Sequence, residues 1–287
     1  MRIQKIWLII VLSMVGLEAY LDGHVIDVVI PCHSRDCQTL DLAIAGIRKH
    51  GKDIRRIIVV SDKLLSNNAE FFDEKRYPFS LHDVALAIFR GDENRASAYV
   101  STANNKLGWV YQQLLKLYTP IVIPDISDNV LMLDADTIFL RKVSFIDDDG
   151  YALYNTGKSI HTPYFHHAKR LLPHFSQIFP GVSGICHHML MQRPVIQDLF
   201  NEIKKYHAQE PWQALCHCID VKELPGSCLS EYEIYFNYAF SHAYKVKLRP
   251  LKWRNFHSHN NSQLPSFKET HYDYVSCHLW RTKKKKA

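Results

Sequence analysis

The strongest constraint on the fold is the alternation of short apolar runs with amphipathic stretches, beginning at residue 26. The run Ile26–Ile30 is rich in β-branched residues and stops at Pro31, and apolar positions then recur at helical spacing between Leu40 and Ile47. A second run, Ile57–Val60, follows. A strand, a helix and a strand in this order predict a right-handed crossover unit. We therefore expect an α/β fold with a central, mostly parallel sheet flanked by helices.

The first twenty residues form a separate segment. Arg2 and Lys5 precede the apolar run Ile6–Leu17, which ends at Glu18 and Ala19. A basic start, an apolar stretch and a small residue are typical of a signal peptide, and the run is shorter than the roughly 20 residues that span a bilayer. We expect residues 1–20 to be a signal peptide or a short membrane anchor; a strand of the folded domain is a third reading. The protein is thus expected in the secretory pathway, membrane-associated or exported, rather than cytoplasmic.

The rest of the chain reads as one domain over residues 21–282, followed by a basic tail at 283–287. It has no internal repeat and no linker rich in proline and glycine. The 287 residues include 35 basic and 29 acidic ones, and four of the basic residues are Lys283–Lys286. No basic stripe with interleaved aromatic residues is present elsewhere, so we expect no nucleic-acid partner.

Polar residues follow the first two predicted strands. Ligands of open α/β sheets bind outside the carboxyl ends of the strands. Asp62 follows the second strand, although a turn residue that simply ends the strand is its alternative reading. The residues after the first strand that we assign to the binding crevice are Pro31, Cys32, His33 and Arg35.

The segment Leu107–Tyr118 has the pattern of a helix with two functions. An apolar stripe suited to a core consists of Leu107, Val110, Leu114 and Leu117. A second stripe consists of Trp109, Gln112, Gln113 and Lys116. An aromatic ring, two amides and an ammonium on one line suit a polar ligand, although a solvated helix face has a similar pattern.

The sharpest local signal is a pair of aspartates. The apolar run Val130–Leu133 predicts a buried strand, and Asp134, Ala135 and Asp136 follow it directly. In an extended chain, residues two apart point the same way, so the two carboxylates converge. Like charges at that range repel unless a cation lies between them. Carboxylates are ligands of hard divalent cations, so the pattern predicts a metal site.

These elements together resemble the nucleotide-diphospho-sugar transferases with the GT-A fold. Asp134-Ala135-Asp136 after a buried strand is similar to the DxD motif of that superfamily. The strand Asp27–Cys32, Ser61-Asp62 and the helix Gly108–Lys116 occur in matching order, and the similarity covers most of residues 25–280. The resemblance implies a GT-A-like, Rossmann-type sandwich.

The resemblance also implies a cofactor and a donor site. A divalent cation, Mn²⁺ or Mg²⁺, would bridge Asp134 and Asp136 to the diphosphate of a nucleotide-sugar donor. The first strand and Asp62 would hold the nucleoside. The face formed by Trp109, Gln113 and Lys116 would lie near the donor, and Ala135 would line the same site.

Further residues receive roles only from this resemblance. A late histidine, His278, would be another metal ligand, with His271 as the next candidate. Adjacent His187 and His188 would shape the pocket for acceptor and sugar, and strand alternation allows only one of them to face it. Glu231 would be the base that deprotonates the acceptor hydroxyl. Its neighbour Glu233 matches a capping box with Ser230, which gives it a structural role instead.

The sequence thus predicts a metal-dependent glycosyltransferase of the hexosyltransferase type, which moves a sugar from a nucleotide-diphosphate donor to a hydroxyl acceptor such as a glycan. One alternative is a phosphatase of the haloacid-dehalogenase kind, in which Asp134 attacks phosphorus and Asp136 handles the leaving group. A second is a non-catalytic, sugar-binding domain of transferase type. A third is an exported zinc-binding module that uses Cys186, His187, Cys216, His217 and Cys218.

Overall fold

A computed structural model describes residues 24–256 and 271–277. The predicted leader, His278 and the basic tail lie outside the described residues, so their assignments stay predictions. Within the described ranges, no helix combines the length and the apolar character that crossing a membrane requires. All seven cysteines fall inside these ranges, and each has a free thiol.

Strands and helices are interspersed along the chain, and the predicted unit of strand, helix and strand opens it. The strands are β1 (Ile26–Pro31), β2 (Ile54–Ser61), β3 (Glu70–Asp73), β4 (Asn129–Leu133), β5 (Thr137–Phe139), β6 (Ala152–Tyr154), β7 (His188–Gln192), β8 (Val246–Leu248), β9 (Trp253–Phe256) and β10 (Tyr274–Cys277). The helices are α1 (Leu40–His50), α2 (Leu81–Ile88), α3 (Glu93–Val100), α4 (Leu107–Val122), α5 (Thr162–Leu171), α6 (Arg193–His207), α7 (Pro211–His217) and α8 (Glu231–Ser241).

The central sheet of the described chain has five strands in the order β3-β2-β1-β4-β7. Its first four strands are parallel to one another, and β7 pairs antiparallel with β4. β1 and β4 are buried along their whole length because helices cover both faces of a parallel sheet. The predicted α/β class, with a mostly parallel sheet flanked by helices, is confirmed.

The strand order places a crevice between β1 and β4. After β1 the chain moves to β2 on one side, and it later returns to β4 on the other side. At such a switch point the connections that leave the two strands diverge and open a crevice at their carboxyl ends. Thr39, just before α1, donates from Oγ1 to the carbonyl of Ala135 at 2.9 Å and joins the two segments there.

A second, smaller sheet with the order β5-β10-β9 lies beside this edge. β5 begins directly after Asp136 and pairs antiparallel with β10, so Thr137 lies opposite Ser276. Thr137 and Ser276 are the two residues of this sheet that lie next to Asp136, and both are fully buried. A strand near the carboxyl end of the chain therefore holds the segment that carries the aspartates.

Candidate active site

Asp134 and Asp136 lie at the carboxyl end of β4. The N–H of Asp134 donates to the carbonyl of His187 at 3.0 Å and continues the ladder between β4 and β7. The N–H of Thr137 donates to the carbonyl of Asp134 at 3.0 Å and closes a turn over Ala135. One ligand atom from each of Asp134, Asp136 and His187 lies within 4.8 Å of the other two.

Asp136 is held in place by β10. The hydroxyl of Ser276 donates to Oδ1 of Asp136 at 3.0 Å, and the N–H of Cys277 donates to the Asp136 carbonyl at 2.9 Å. Because the donor hydroxyl belongs to a strand interior, it has little freedom to move. The carboxylate of Asp136 is thus oriented before any ligand binds.

A buried lysine connects Asp134 to α8. The Nζ of Lys116 lies 2.6 Å from Oδ1 of Asp134 and 2.8 Å from Oε1 of Glu231, and it also contacts the Tyr232 hydroxyl at 3.4 Å. The Lys116 side chain is 4% exposed and that of Glu231 is 2% exposed. The same ammonium lies 4.4 Å from the centre of the Tyr232 ring, a cation–π contact.

The charges of this network shift the pKa values of its members. Burial raises the pKa of Asp134, but the Lys116 ammonium and a hydrogen bond from His187 outweigh it and hold that pKa well below its usual range. Burial lowers the pKa of Lys116, but the two carboxylates raise it well above normal. Burial raises the pKa of Glu231 despite its pairing with Lys116. Lys116 is therefore an ammonium and Asp134 a carboxylate at neutral pH.

The donor set fits a hard divalent cation. Lys116 pairs with Asp134 and Glu231, and Asp136 adds a further carboxyl group beside Asp134, so acidic groups outnumber the one ammonium. The ring nitrogen Nδ1 of His187 lies 3.5 Å from Oδ2 of Asp134, so the cluster also includes one imidazole. Oxygen ligands with one imidazole suit Mn²⁺ or Mg²⁺. His278, the predicted late ligand, lies outside the described residues, directly after Cys277.

A family comparison matches most of the chain. A family model described as a family of unknown function (DUF6492) matches residues 23–271. The chain belongs to this family. No curated protein matches the sequence significantly.

Among solved structures, this DUF6492 protein is similar to the apo form of mouse xyloside xylosyltransferase 1. The two share 12% sequence identity with a TM-score of 0.42, and the similarity covers 87% of this chain and 97% of the mouse chain. Likeness at this level carries no chemistry from one protein to the other.

The adjacent histidines of this DUF6492 protein lie on opposite sides of the site. His188 is buried, and its ring packs edge-on against Phe139 and Tyr274 with centroids about 5 Å apart. Burial lowers the pKa of His188 to about 3, so its ring is neutral. His187 has a left-handed backbone, with φ of 69°, which turns its ring toward Asp134. His187 therefore lies with the candidate metal ligands Asp134 and Asp136, whereas the sequence predicted that whichever histidine faced the site would shape the acceptor pocket.

Glu231 and Glu233 are both buried but bind different partners. Ser230 caps α8, since its side chain accepts from the Glu233 N–H at 3.3 Å. The predicted capping box is only half formed. The Glu233 side chain accepts from the Ser183 hydroxyl at 2.5 Å and from the N–H of Gly184 instead of returning to Ser230. Those contacts tie the loop before His187 to α8.

The predicted donor residues lie around the carboxyl ends of β1 and β2. Cys32 is buried, and burial together with Asp36, Cys37 and Asp136 raises its pKa to about 12, so it is a neutral thiol near Asp136. Pro31 is also buried, whereas His33, Arg35 and Asp62 are exposed. The ring of His33 accepts from the Arg35 N–H at 3.2 Å.

The two stripes of α4 also have distinct surroundings. Each of the four apolar residues is at most 2% exposed, so the predicted core stripe is confirmed. On the second stripe Gln113 and Lys116 are buried, while Trp109 is 37% exposed and donates from Nε1 to the Leu229 carbonyl at 3.1 Å. Within this stripe Lys116 contacts Glu231 of α8, and Trp109 contacts the segment just before α8.

Sequence reasoning missed Trp253, Tyr232 and Ser276. The Trp253 ring lies edge-on to His187 with centroids 5.1 Å apart, and it stacks on Tyr274 at 5.7 Å. No motif marks Trp253 or Ser276, because each reaches the site through strand pairing with a distant segment. Tyr232 had one signal, its position between two glutamates at a helix start.

Proposed function

We propose that this protein is a metal-dependent glycosyltransferase that moves a sugar from a nucleotide-diphosphate donor to a hydroxyl acceptor. One observation carries the proposal: ligand atoms of Asp134, Asp136 and His187 meet within 4.8 Å at the switch point between β1 and β4. That crevice is where α/β sheets bind nucleotides. Two carboxylates at this place fit a cation that a diphosphate also coordinates.

In the reaction, the bond from the anomeric carbon to the diphosphate oxygen breaks, and a bond to the acceptor oxygen forms. The acceptor proton leaves to a base, and the nucleoside diphosphate departs with the electrons of the broken bond. A divalent cation held by Asp134, Asp136 and His187 would stabilise the negative charge that develops on the departing diphosphate, an effect that would grow toward the transition state.

The chain's own residues orient the site for this step. Lys116 fixes Asp134, and Ser276 fixes Asp136, so both carboxylates are positioned without reorganisation. The exposed residues His33, Arg35 and Asp62 at the strand ends are proposed to contact the nucleoside. Trp109, with its partly exposed ring, is proposed to contact the donor.

Glu231 is proposed as the base, with one structural condition. Its carboxylate is 2% exposed and pairs with Lys116 at 2.8 Å, so it reaches an acceptor hydroxyl only when this pair opens. With the pair closed, Glu231 positions Lys116 against Asp134. The variant Glu231→Gln separates the two roles. If Glu231 is the base, the variant loses the fall in kcat at low pH. If Glu231 only positions Lys116, the variant instead has a higher KM for the metal ion.

The test of the function is an activity screen on the full chain with nucleotide sugars, Mn²⁺ and simple glycoside acceptors. We expect slow hydrolysis or transfer with one donor, abolished by chelator and by Asp136→Asn. Glu210→Gln, which changes an exposed carboxylate that pairs with Lys204, is the matched control and should retain activity. An active Asp136→Asn variant contradicts the proposal, and turnover of phosphate monoesters alone favours the phosphatase.

The location of the protein is a separate proposal. Residues 1–20 are proposed to direct it into the secretory pathway or to anchor it to a membrane. Sequencing the amino terminus of the protein made in its natural host tests this: a mature terminus near residue 20 indicates cleavage, and an intact Met1 in a membrane fraction indicates an anchor.

A further inference from the structure

A second cluster of metal-binding residues lies away from the aspartates. His174 is in the turn after α5, Glu202 is on α6, and His242 caps the end of α8. One ligand atom from each lies within 4.8 Å of the other two. Three separate elements thus bring two imidazoles and a carboxylate to one point.

The spacing within this cluster suits a shared ion. The Nε2 of His174 lies 3.0 Å from Oε1 of Glu202, and the Nε2 of His242 lies 3.8 Å from Oε2 of the same carboxylate. Ligands that bind Zn²⁺ tetrahedrally at about 2.0–2.2 Å are roughly 3.3–3.6 Å apart. Small side-chain rotations therefore bring the three groups to coordination distance.

Hydrogen bonds orient His242 for binding. Its Nδ1 lies 3.0 Å from the Tyr238 carbonyl and 2.8 Å from the Ser241 hydroxyl, and that hydroxyl itself donates to the Tyr238 carbonyl at 2.9 Å, so both neighbours are placed to accept a proton from Nδ1. The lone pair is then on Nε2, the nitrogen that faces Glu202. A ligand histidine that donates its other N–H to a backbone carbonyl is the usual arrangement around zinc.

Tyr238 also contacts the cluster through its side chain. Its ring stacks on the His242 ring with centroids 4.0 Å apart, and its hydroxyl lies near the Glu202 carboxylate. Both the imidazole and the carboxylate therefore lie beside one buried side chain. A chance pair of surface charges lacks this second layer of contacts.

We propose that His174, Glu202 and His242 form a second divalent-cation site, which takes Zn²⁺ and leaves the fourth position to water. Two histidines and a glutamate are a zinc ligand set. The three side chains are 30–57% exposed, so an ion enters from solvent. Because His242 ends the helix that begins at Glu231, the ion would fasten α8 to α6 at the end opposite Lys116.

The experiment measures zinc binding in the Asp136→Asn background, which disables the proposed active-site ion. Chelator-stripped full-length protein is titrated with ZnCl₂ in a calorimeter, and the melting temperature is recorded with and without Zn²⁺. The test variant adds His174→Gln and His242→Gln. The control adds His82→Gln instead, which removes an exposed histidine that lies 3.8 Å from Glu93.

We expect the test variant to bind one equivalent of zinc fewer than the background and control proteins, and to lose the zinc-dependent rise in melting temperature. Histidines other than His82, His174 and His242 are the same in all three proteins, and the control measures the effect of losing an exposed histidine, so the difference isolates this site. If the double substitution prevents folding, Glu202→Gln replaces it, with the visible spectrum of bound Co²⁺ as the readout. If the test variant and the control bind the same number of zinc ions, the proposal is wrong, and the three residues form only two histidine–glutamate ion pairs.

Discussion

The ammonium of Lys116 lies 2.8 Å from the carboxylate of Glu231, and both side chains are almost fully buried. The contact joins α4 to the first residue of α8, 115 positions later in the chain. Because the same ammonium binds Asp134, the charge of one lysine links the helix pair to the proposed metal site.

Removing the lysine alone should destabilise the protein strongly. Lys116→Met leaves the buried Glu231 carboxyl without its cation, which costs about 3–5 kcal/mol of unfolding free energy. Combining it with Glu231→Gln should recover part of that loss. Urea denaturation of the two single variants and the double variant measures the coupling.

The control for this cycle is Lys204→Met, which removes an exposed pair at 3.1 Å to Glu210. Exposed ion pairs contribute about 0–1 kcal/mol to the free energy of unfolding. A Lys116→Met variant no less stable than Lys204→Met would show that the buried network is not formed in solution.

Gly184 permits a close approach between the loop before His187 and α8. A Cβ at this position would lie 2.6 Å from the Cβ of Phe236 and 3.0 Å from the Tyr232 carbonyl, and backbone would have to move. We expect Gly184→Ala to lower the free energy of unfolding by about 1–3 kcal/mol, as is usual when an extra group is forced into a packed core. At Gly108, in the first turn of α4, an added Cβ meets nothing within 4 Å.

Gly108→Ala is thus the matched control. Because alanine is more favourable than glycine inside a helix, we expect this substitution to raise the free energy of unfolding by about 0.5–1 kcal/mol. Thermal melts of the two variants test the pair. Equal effects of the two substitutions would contradict the packing of this loop on α8.

His167 should make stability depend on pH. It is fully buried, with Nε2 2.8 Å from the Leu215 carbonyl, and burial lowers its pKa to about 4. Between pH 6.5 and 4 the unfolded chain binds a proton that the native state does not, so stability falls as the pH falls. Between about pH 7.5 and pH 5, this group alone lowers the free energy of unfolding by about 2 kcal/mol.

His167→Gln should flatten that part of the pH dependence, measured as urea unfolding free energies at both pH values. His82→Gln, at an exposed position, should leave it unchanged. An undiminished slope in His167→Gln would mean that another group causes the acid sensitivity.

Ser276 should affect metal binding more than folding. Its hydroxyl donates to Asp136 at 3.0 Å, and loss of such a supporting contact lowers metal affinity by about 10–100-fold. We expect Ser276→Ala to weaken Mn²⁺ binding in a calorimetric titration while the protein stays folded. Ser101→Ala serves as the control, because this exposed serine at the end of α3 donates only to the Ser97 carbonyl. Unaltered Mn²⁺ affinity in Ser276→Ala would argue that Asp136 does not bind the ion.

Much of the sheet was readable from the sequence because its signals are local. β1, β2 and β4 each contain a short apolar run, and the apolar stripe of α4 has helical spacing. Contacts between distant segments have no such signal. The pairing of β5 with β10, which brings Ser276 to Asp136, joins residues 140 positions apart.

The same limit applies to the site. The convergence of two aspartates follows from strand geometry, but the turn of His187 toward them depends on a left-handed backbone at a non-glycine residue. Burial of Lys116 depends on α8, which no periodicity in α4 reveals. The sequence therefore indicated the chemistry of the site better than its full set of residues.

The proposed function requires that Asp134 and Asp136 hold a divalent cation together with a nucleoside diphosphate. The most direct measurement is the melting temperature of residues 21–287 with a panel of nucleoside diphosphates, in Mn²⁺ and in chelator, for the unaltered protein and for Asp136→Asn. We predict that one nucleotide raises the melting temperature only with Mn²⁺, and that Asp136→Asn abolishes the rise. A shift of equal size in chelator, or in Asp136→Asn, would contradict the claim.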